Sequence, residues 1–184
     1  MKKFNFCVEN KIKNRLGRAG KIVTAHGTIE TPAFIPVGTQ ASIKGLTPEM
    51  IIDAGAEAIL ANAYHLFLRP GPELIYKAGG LANFMNWHRP TFTDSGGFQI
   101  LSLGSGYKKV ISMDVKKSEN TPKNERHARV DDNGVTFTSH INGDKHYFTP
   151  EISMQVQSKI GADICFAFDE HTSLAGPDDY QVKA

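Results

Sequence analysis

Short apolar runs broken by turn residues fill the first part of the chain. FNFCV, GKIVTA and TIETPAFIPV, with His26-Gly27 between the last two, predict antiparallel hairpins over residues 1–36, a small sheet rather than a barrel strand. Beyond them the pattern changes. Thr47 is placed to cap a helix that has Pro48 at its first position and Glu49 beside it, and MIIDAG predicts a short helix ended by Gly55. AEAILAN (56–62) is a continuous apolar run of strand length, of the kind buried on both faces of a parallel sheet. PELIYKAGG predicts a helix, PTFTDS (90–95) a second buried strand and ADICFAF (162–168) a third. Ahead of the third lies PEISMQVQSKIG, where Ile152, Val156 and Ile160 recur at i, i+4 and i+8 and mark one helix face.

Strand, helix and strand in succession, with polar residues just past each strand's carboxyl end, predict an α/β fold: an incomplete TIM (β/α)8 barrel whose first βα units occupy residues 56–184, preceded by the antiparallel sheet. Catalytic groups in that architecture sit at the strand ends, which here are Asn62 and His65, Asp94 and Ser95, and Asp169 to His171. Residues 105–133, rich in Lys, Asn, Asp and Glu, predict a solvated surface loop, and VTFTSHINGDKHYFT, turning at Asn142-Gly143, predicts an inserted β-hairpin. A whole barrel takes about 250 residues. With three candidate barrel strands in 184 residues, the C-terminal half is expected to be absent, and GPDDYQVKA reads as the first turn of a helix.

Composition narrows the class without naming a partner. The chain is 40% hydrophobic, enough for one core, and its formal net charge of +2 neither requires nor excludes a nucleic-acid partner, so any RNA-binding face has to be local. Cys7 and Cys165 stand far apart in apolar surroundings, which predicts buried free thiols rather than a disulfide or a metal site. No leader-like apolar segment opens the chain and no membrane span is visible, so a cytoplasmic location is expected.

The chemistry concentrates in TDSGGFQ, Thr93 to Gln99. A carboxylate and a hydroxyl leave a buried strand, two glycines permit close backbone approach, and an aromatic and an amide follow. Asp94, Ser95 and Gln99 can hydrogen-bond a flat polar heterocycle while Phe98 offers a stacking face. The alternative is a Gly-Gly turn into a helix with Asp94 as its cap. Asp169 likewise reads as a ligand carboxylate, or as a helix cap or salt-bridged loop residue. His65 fits a hydrogen-bonded structural histidine better than a chemical role, and Trp87 and Phe84 are expected in the core.

The heptapeptide resembles the substrate-pocket signature of the tRNA-guanine transglycosylases, in its bacterial and eukaryotic queuine-type form. TPAFIPVGT, KGLTPEM, ANAYHLFLRPG, INGDKHYFTPEISMQVQSKIGADI and FDEHT resemble family segments in the same order, so the likeness covers nearly the whole chain. It implies an enzyme of queuosine synthesis that exchanges guanine at the wobble position of tRNA for a 7-deazaguanine by covalent glycosyl transfer. It further implies that Asp94 is the acid/base carboxylate, that Ser95, Gly96, Gly97, Phe98 and Gln99 complete the base-binding run, and that Asp169 selects the guanine edge. On this reading the two aspartates converge on a purine-shaped slot. His171 stands where the family usually has Cys, and the 105–133 loop is longer than in common members.

The family's nucleophile, its Gly-rich base loop, its basic tRNA contacts and its zinc site of three Cys and one His belong to the second half. The resemblance therefore implies zinc and a homodimer in the full-length member and an inactive 184-residue fragment, while the lack of a Cys cluster predicts no cofactor in this chain, the lack of an apolar span predicts no membrane, and the unpaired strand edges and apolar interior of a part-barrel predict poor solubility or self-association alone. Two rivals are a TIM-barrel glycoside hydrolase using paired carboxylates and a non-catalytic subunit that binds tRNA or base.

Overall fold

A computed structural model describes residues 4–104, 128–169 and 178–183. The chain divides into two compact units, Met1–Asp94 with Val156–Phe166, and Ser95–Gln155 with Ala167–Ala184.

In the first unit, β1 (Asn5–Lys11), β2 (Arg18–Thr24) and β3 (Gly27–Thr31) form an antiparallel sheet. Ile22 and Ile29 face each other across β2 and β3 and carry the buried side. The β1–β2 register slips between Val8 and Asn10, and a Cβ on Gly20 would lie 2.2 Å from the Cys7 carbonyl oxygen, so only glycine fits there. Both cysteines are free, but the expectation that they are buried fails. Cys7 is exposed because β1 is an edge strand with little covering either face, and Cys165 is half-buried on the short edge strand β10 (Ile164–Cys165).

The parallel sheet runs β4 (Val37–Gly38), β5 (Ile59–Ala61), β6 (Thr91–Thr93), β10. Its first strand is a correction. The sequence assigns everything up to Pro36 to hairpins and offers no further strand before Ala56, whereas Val37 pairs with Leu60 and Gly38 with Ala61. Two residues, one of them glycine, make no apolar run; backbone pairing carries the strand, helped by the Leu60 N–H bond to the Pro36 carbonyl at 3.0 Å. The other strands are shorter than their apolar runs.

Helix α1 (Pro48–Asp53) starts where the sequence puts it, with the Thr47 hydroxyl accepting from the Met50 amide at 3.3 Å. Before α3 (Pro72–Lys77) lies α2 (Ala63–Leu68) and after it α4 (Leu81–Met85), two one-turn helices without a sequence forecast. The first is hidden because its apolar residues continue the run of β5. Ile51, Ile59 and Trp87 form one core cluster, and Ile29, Ala58 and Phe92 join the antiparallel sheet to the parallel one. Each of the isoleucines and Phe92 contributes about 1.5–3 kcal/mol of burial, and the Ala58 methyl about 0.8 kcal/mol. Trp87 is core as expected, its indole N–H bonded to the Pro90 carbonyl at 3.1 Å, while Phe84 is only half-buried.

The second unit contains α5 (Gly97–Gly104) and a three-stranded antiparallel sheet, β7 (Ala128–Asp131), β8 (Gly134–Thr138) and β9 (Lys145–Phe148). The β8–β9 hairpin turns at Asn142-Gly143, with Gly143 at φ +79°. β7 corrects the surface-loop reading at its end: Ala128–Asp131 pair with β8, and polar composition concealed them. Residues 105–127 of that loop lie outside the described residues. Helix α6 (Pro150–Ile160) and α7 (Asp178–Lys183) complete the chain. Val156 and Ile160 are buried on the forecast face of α6, but so are Ser153 and Gln157. Among the described residues no helix is long and apolar enough to cross a membrane.

Candidate functional site

Parallel pairing places Asp94. β5 and β6 align Ile59 with Thr91, Leu60 with Phe92 and Ala61 with Thr93, so Asn62 and Asp94 emerge side by side at the carboxyl ends. The Asn62 side-chain amide donates to Asp94 Oδ2, and the Ala63 backbone amide, in the first turn of α2, donates to Oδ1 at 2.8 Å. Asn62 occupies the cap position of α2, yet its side chain makes no cap bond and reaches the carboxylate on the next strand instead. The sequence reading named Asn62 only as a strand-end residue and missed this positioning role; the adjacent ends of two apolar runs were the available signal. Neighbouring Tyr64 is buried, which pushes its hydroxyl above the ordinary value.

The rest of the heptapeptide belongs to the second unit. Ser95 is buried; its Oγ donates to Asp169 Oδ1 at 2.9 Å and accepts from the Gly97 amide at 3.3 Å. Its carbonyl accepts from Ser153 Oγ at 2.8 Å. The two glycines serve different needs. Gly96 has φ +84°, a left-handed conformation, and a Cβ on Gly97 would stand 2.9 Å from the Asp169 carbonyl oxygen, so a side chain there would push Asp169 away. Phe98 is exposed, Gln99 half-buried and Asp169 exposed. Thus Ser95, Gly97 and Asp169 are brought together, and a cleft of about 230 Å³ opens beside them, lined by Phe168, Pro150 and the β7–β8 turn from Asp131 to Gly134. Phe168 packs on Phe148 with ring centroids 5.8 Å apart.

Gln157 and Ser153 were also missed, because polar positions on a helix read as solvent-facing. The Thr93 hydroxyl donates to Gln157 Oε1 at 2.8 Å, and Gln157 Nε2 donates to the Phe166 carbonyl at 3.0 Å. Their one signal is the i, i+4 spacing beside the apolar stripe of α6. Glu170 and His171 lie outside the described residues. Among the described residues no group of three or more His, Cys, Asp or Glu could hold a metal ion.

These features define an α/β protein in which carboxylates stand at or just past the carboxyl ends of parallel strands, one fixed by amide donors and one by a serine. The chain belongs to the queuine tRNA-ribosyltransferase family, whose model matches residues 13–184. Proteins named queuine tRNA-ribosyltransferase resemble it closely. That of Desulforamulus reducens is 44% identical over 177 residues, covering 96% of this chain and 42% of the relative. The one from Pelotomaculum thermopropionicum is 47% identical over 180 residues (98% and 43%), and that from Fusobacterium nucleatum 48% over 165 residues (89% and 39%). The chain therefore spans about two fifths of the length of the curated relatives it matches. These matches do not favour a glycoside hydrolase or a partner subunit.

Proposed function

We propose that this chain supplies the base-binding part of a tRNA-guanine transglycosylase, which exchanges guanine at the wobble position of tRNA for a 7-deazaguanine. The observation that carries the reading is the Ser95–Asp169 hydrogen bond against the glycine turn: it joins two separated segments of the family pattern, TDSGGFQ and FDEHT. The parallel sheet is read as part of the wall of a (β/α)8 barrel, where such strand-end residues meet substrate.

The exchange breaks the bond from guanine to ribose C1′ and forms a bond from C1′ to the incoming base. Asp94 gives a proton to the departing guanine and takes one from its replacement. Asn62 and the Ala63 amide hold that carboxylate in place. Asp169 accepts from the exocyclic amine and ring N–H of the guanine edge, a bidentate selection, with Ser95 steadying one of its oxygens. Gly96 and Gly97 keep the backbone close, Gln99 adds a hydrogen bond and Phe98 a stacking face. Removing a base from its stack calls for this kind of edge recognition.

The test is a chimera in which residues 1–184 replace the matching segment of the Desulforamulus reducens relative. It should incorporate labelled guanine into tRNA, and Asp94→Ala should abolish incorporation. In parallel, the 184-residue chain should bind guanine and lose that binding on Asp169→Ala. A folded chimera with no exchange, or exchange unaffected by Asp94→Ala, would overturn the assignment.

A further inference from the structure

The formal charge of +2 is not evenly spread. The segment joining β1 to β2 reads KIKNRLGR from Lys11 to Arg18, with four cations and no acid. Its turn is built: the Ile12 amide donates to the Gly17 carbonyl at 2.9 Å, Arg15 N–H donates to the Ile12 carbonyl at 3.2 Å, and Asn14 takes a left-handed φ of +58°. All eight residues are exposed, Leu16 at 93%.

The neighbouring charges are neutralised and these are not. Lys21 is held by Glu9 and Glu30 at 2.9 and 3.4 Å, whereas among the described residues none of Lys11, Lys13, Arg15 and Arg18 has an ion-pair partner. Lys11 and Arg18 are also direct cross-strand partners. Like charges placed opposite each other on a sheet weaken it. The arrangement therefore works against the hairpin that carries it, and an external polyanion would relieve it. Exposed cations on a hydrogen-bonded turn suit a chain of phosphates, which they can contact without reading sequence.

We propose that the β1–β2 hairpin tip is a contact surface for the phosphodiester backbone of RNA, with Lys11, Lys13, Arg15 and Arg18 neutralising phosphates. The inference rests on the reading of this chain as part of a protein that acts on tRNA, and is tested apart from it. Binding of a fluorescent, unmodified tRNA transcript by the chimera that carries residues 1–184 as its parent chain is measured by anisotropy as salt rises from about 50 to about 200 mM. Each neutralised phosphate adds about 0.7–0.9 to the slope of log affinity against log salt. Replacing all four cations by Ala should lower the slope by about 3 and weaken low-salt binding about tenfold or more. The pair Lys13→Ala and Arg15→Ala, confined to the turn, should give about half of the slope change and serves if the fourfold variant fails to fold. A parent chain that does not bind tRNA at low salt, or variants that keep the parent's slope, would overturn the proposal. Loss of exchange in the chimera with tRNA binding and its slope intact would instead count against the catalytic reading alone.

Discussion

Replacing Asp163 by Ala should destabilise the chain by about 3–5 kcal/mol, because one buried carboxylate fastens three backbone segments. Its side chain is 3% exposed. Oδ2 accepts from the Thr91 amide at 2.9 Å and from the Thr91 hydroxyl at 3.1 Å, where β6 begins, and Oδ1 lies 2.7 Å from Nδ1 of His26 in the β2–β3 turn. Thr91 is fully buried, so its amide would lose its partner without gaining water, a cost of about 1–3 kcal/mol. The bond from the Thr91 hydroxyl to a charged acceptor adds about 1.5–3 kcal/mol. His26 is 46% exposed, and solvent screening limits its share to about 1 kcal/mol or less. Asp163→Asn keeps the shape and one acceptor for Thr91, and should cost only about 1–2 kcal/mol. Urea unfolding measures both, with an unchanged m-value as the check that the unfolded state is the same. A double-mutant cycle with His26→Ala isolates the histidine. If Asp163→Ala costs under about 1 kcal/mol, or if the His26 coupling accounts for most of the loss, the account of the Thr91 amide is wrong.

Gln157→Ala should cost about 3 kcal/mol in the same assay, since it leaves a cavity and strips partners from the Thr93 hydroxyl and the Phe166 carbonyl; a loss below about 1 kcal/mol would show that water replaces the side chain. At the β7–β8 turn, the Asn133 amide first, then the Tyr147 hydroxyl, with the Gly134 amide and Arg129 adding to them, hold the Asp131 carboxyl below the ordinary carboxylate value. A depressed folded value means that its stabilisation is present above the unfolded value and fades as pH falls through the folded one. Hydrogen exchange at the Asn133 and Gly134 amides should therefore quicken, relative to their intrinsic rates, as the solution is taken below the usual Asp range. Asp131→Asn should remove that dependence; an unchanged acid response in the variant would contradict the cause.

What the sequence made legible is what local chemistry decides. Thr47-Pro48-Glu49 begins α1 because its cap bond needs only the next three residues, and Asn142-Gly143 turns the β8–β9 hairpin because glycine alone accepts its φ readily. For the heptapeptide the local pattern left a Gly-Gly turn and a ligand site both open, and the contact of Ser95 and Gly97 with Asp169, 74 residues beyond Ser95, is not written in it. β4 was illegible: Val37 and Gly38 are a strand only because Leu60 and Ala61 lie beside them. β7 was hidden by its charges, for Arg129 and Asp131 face out while their backbone pairs with β8. In each case the decisive partner is distant in sequence.

The polar residues at the strand ends divide on the same principle. Where a parallel ladder stops, hydroxyls and carbonyls lose their neighbours, and each must find another partner or stay in reach of water. Helix α6 meets that need with Ser153 for the Ser95 carbonyl and Gln157 for the Thr93 hydroxyl and Phe166 carbonyl, which is why both side chains are buried on a face that hydropathy would split. The Asp169 carboxylate, an acceptor, and the Phe98 ring can donate to neither carbonyl, and both remain exposed. A polar residue beside a strand end is thus read first as a partner for the backbone. It becomes a candidate for substrate when, like Asp169, it stays exposed beside a cleft and has a neighbour such as Ser95 that orients it.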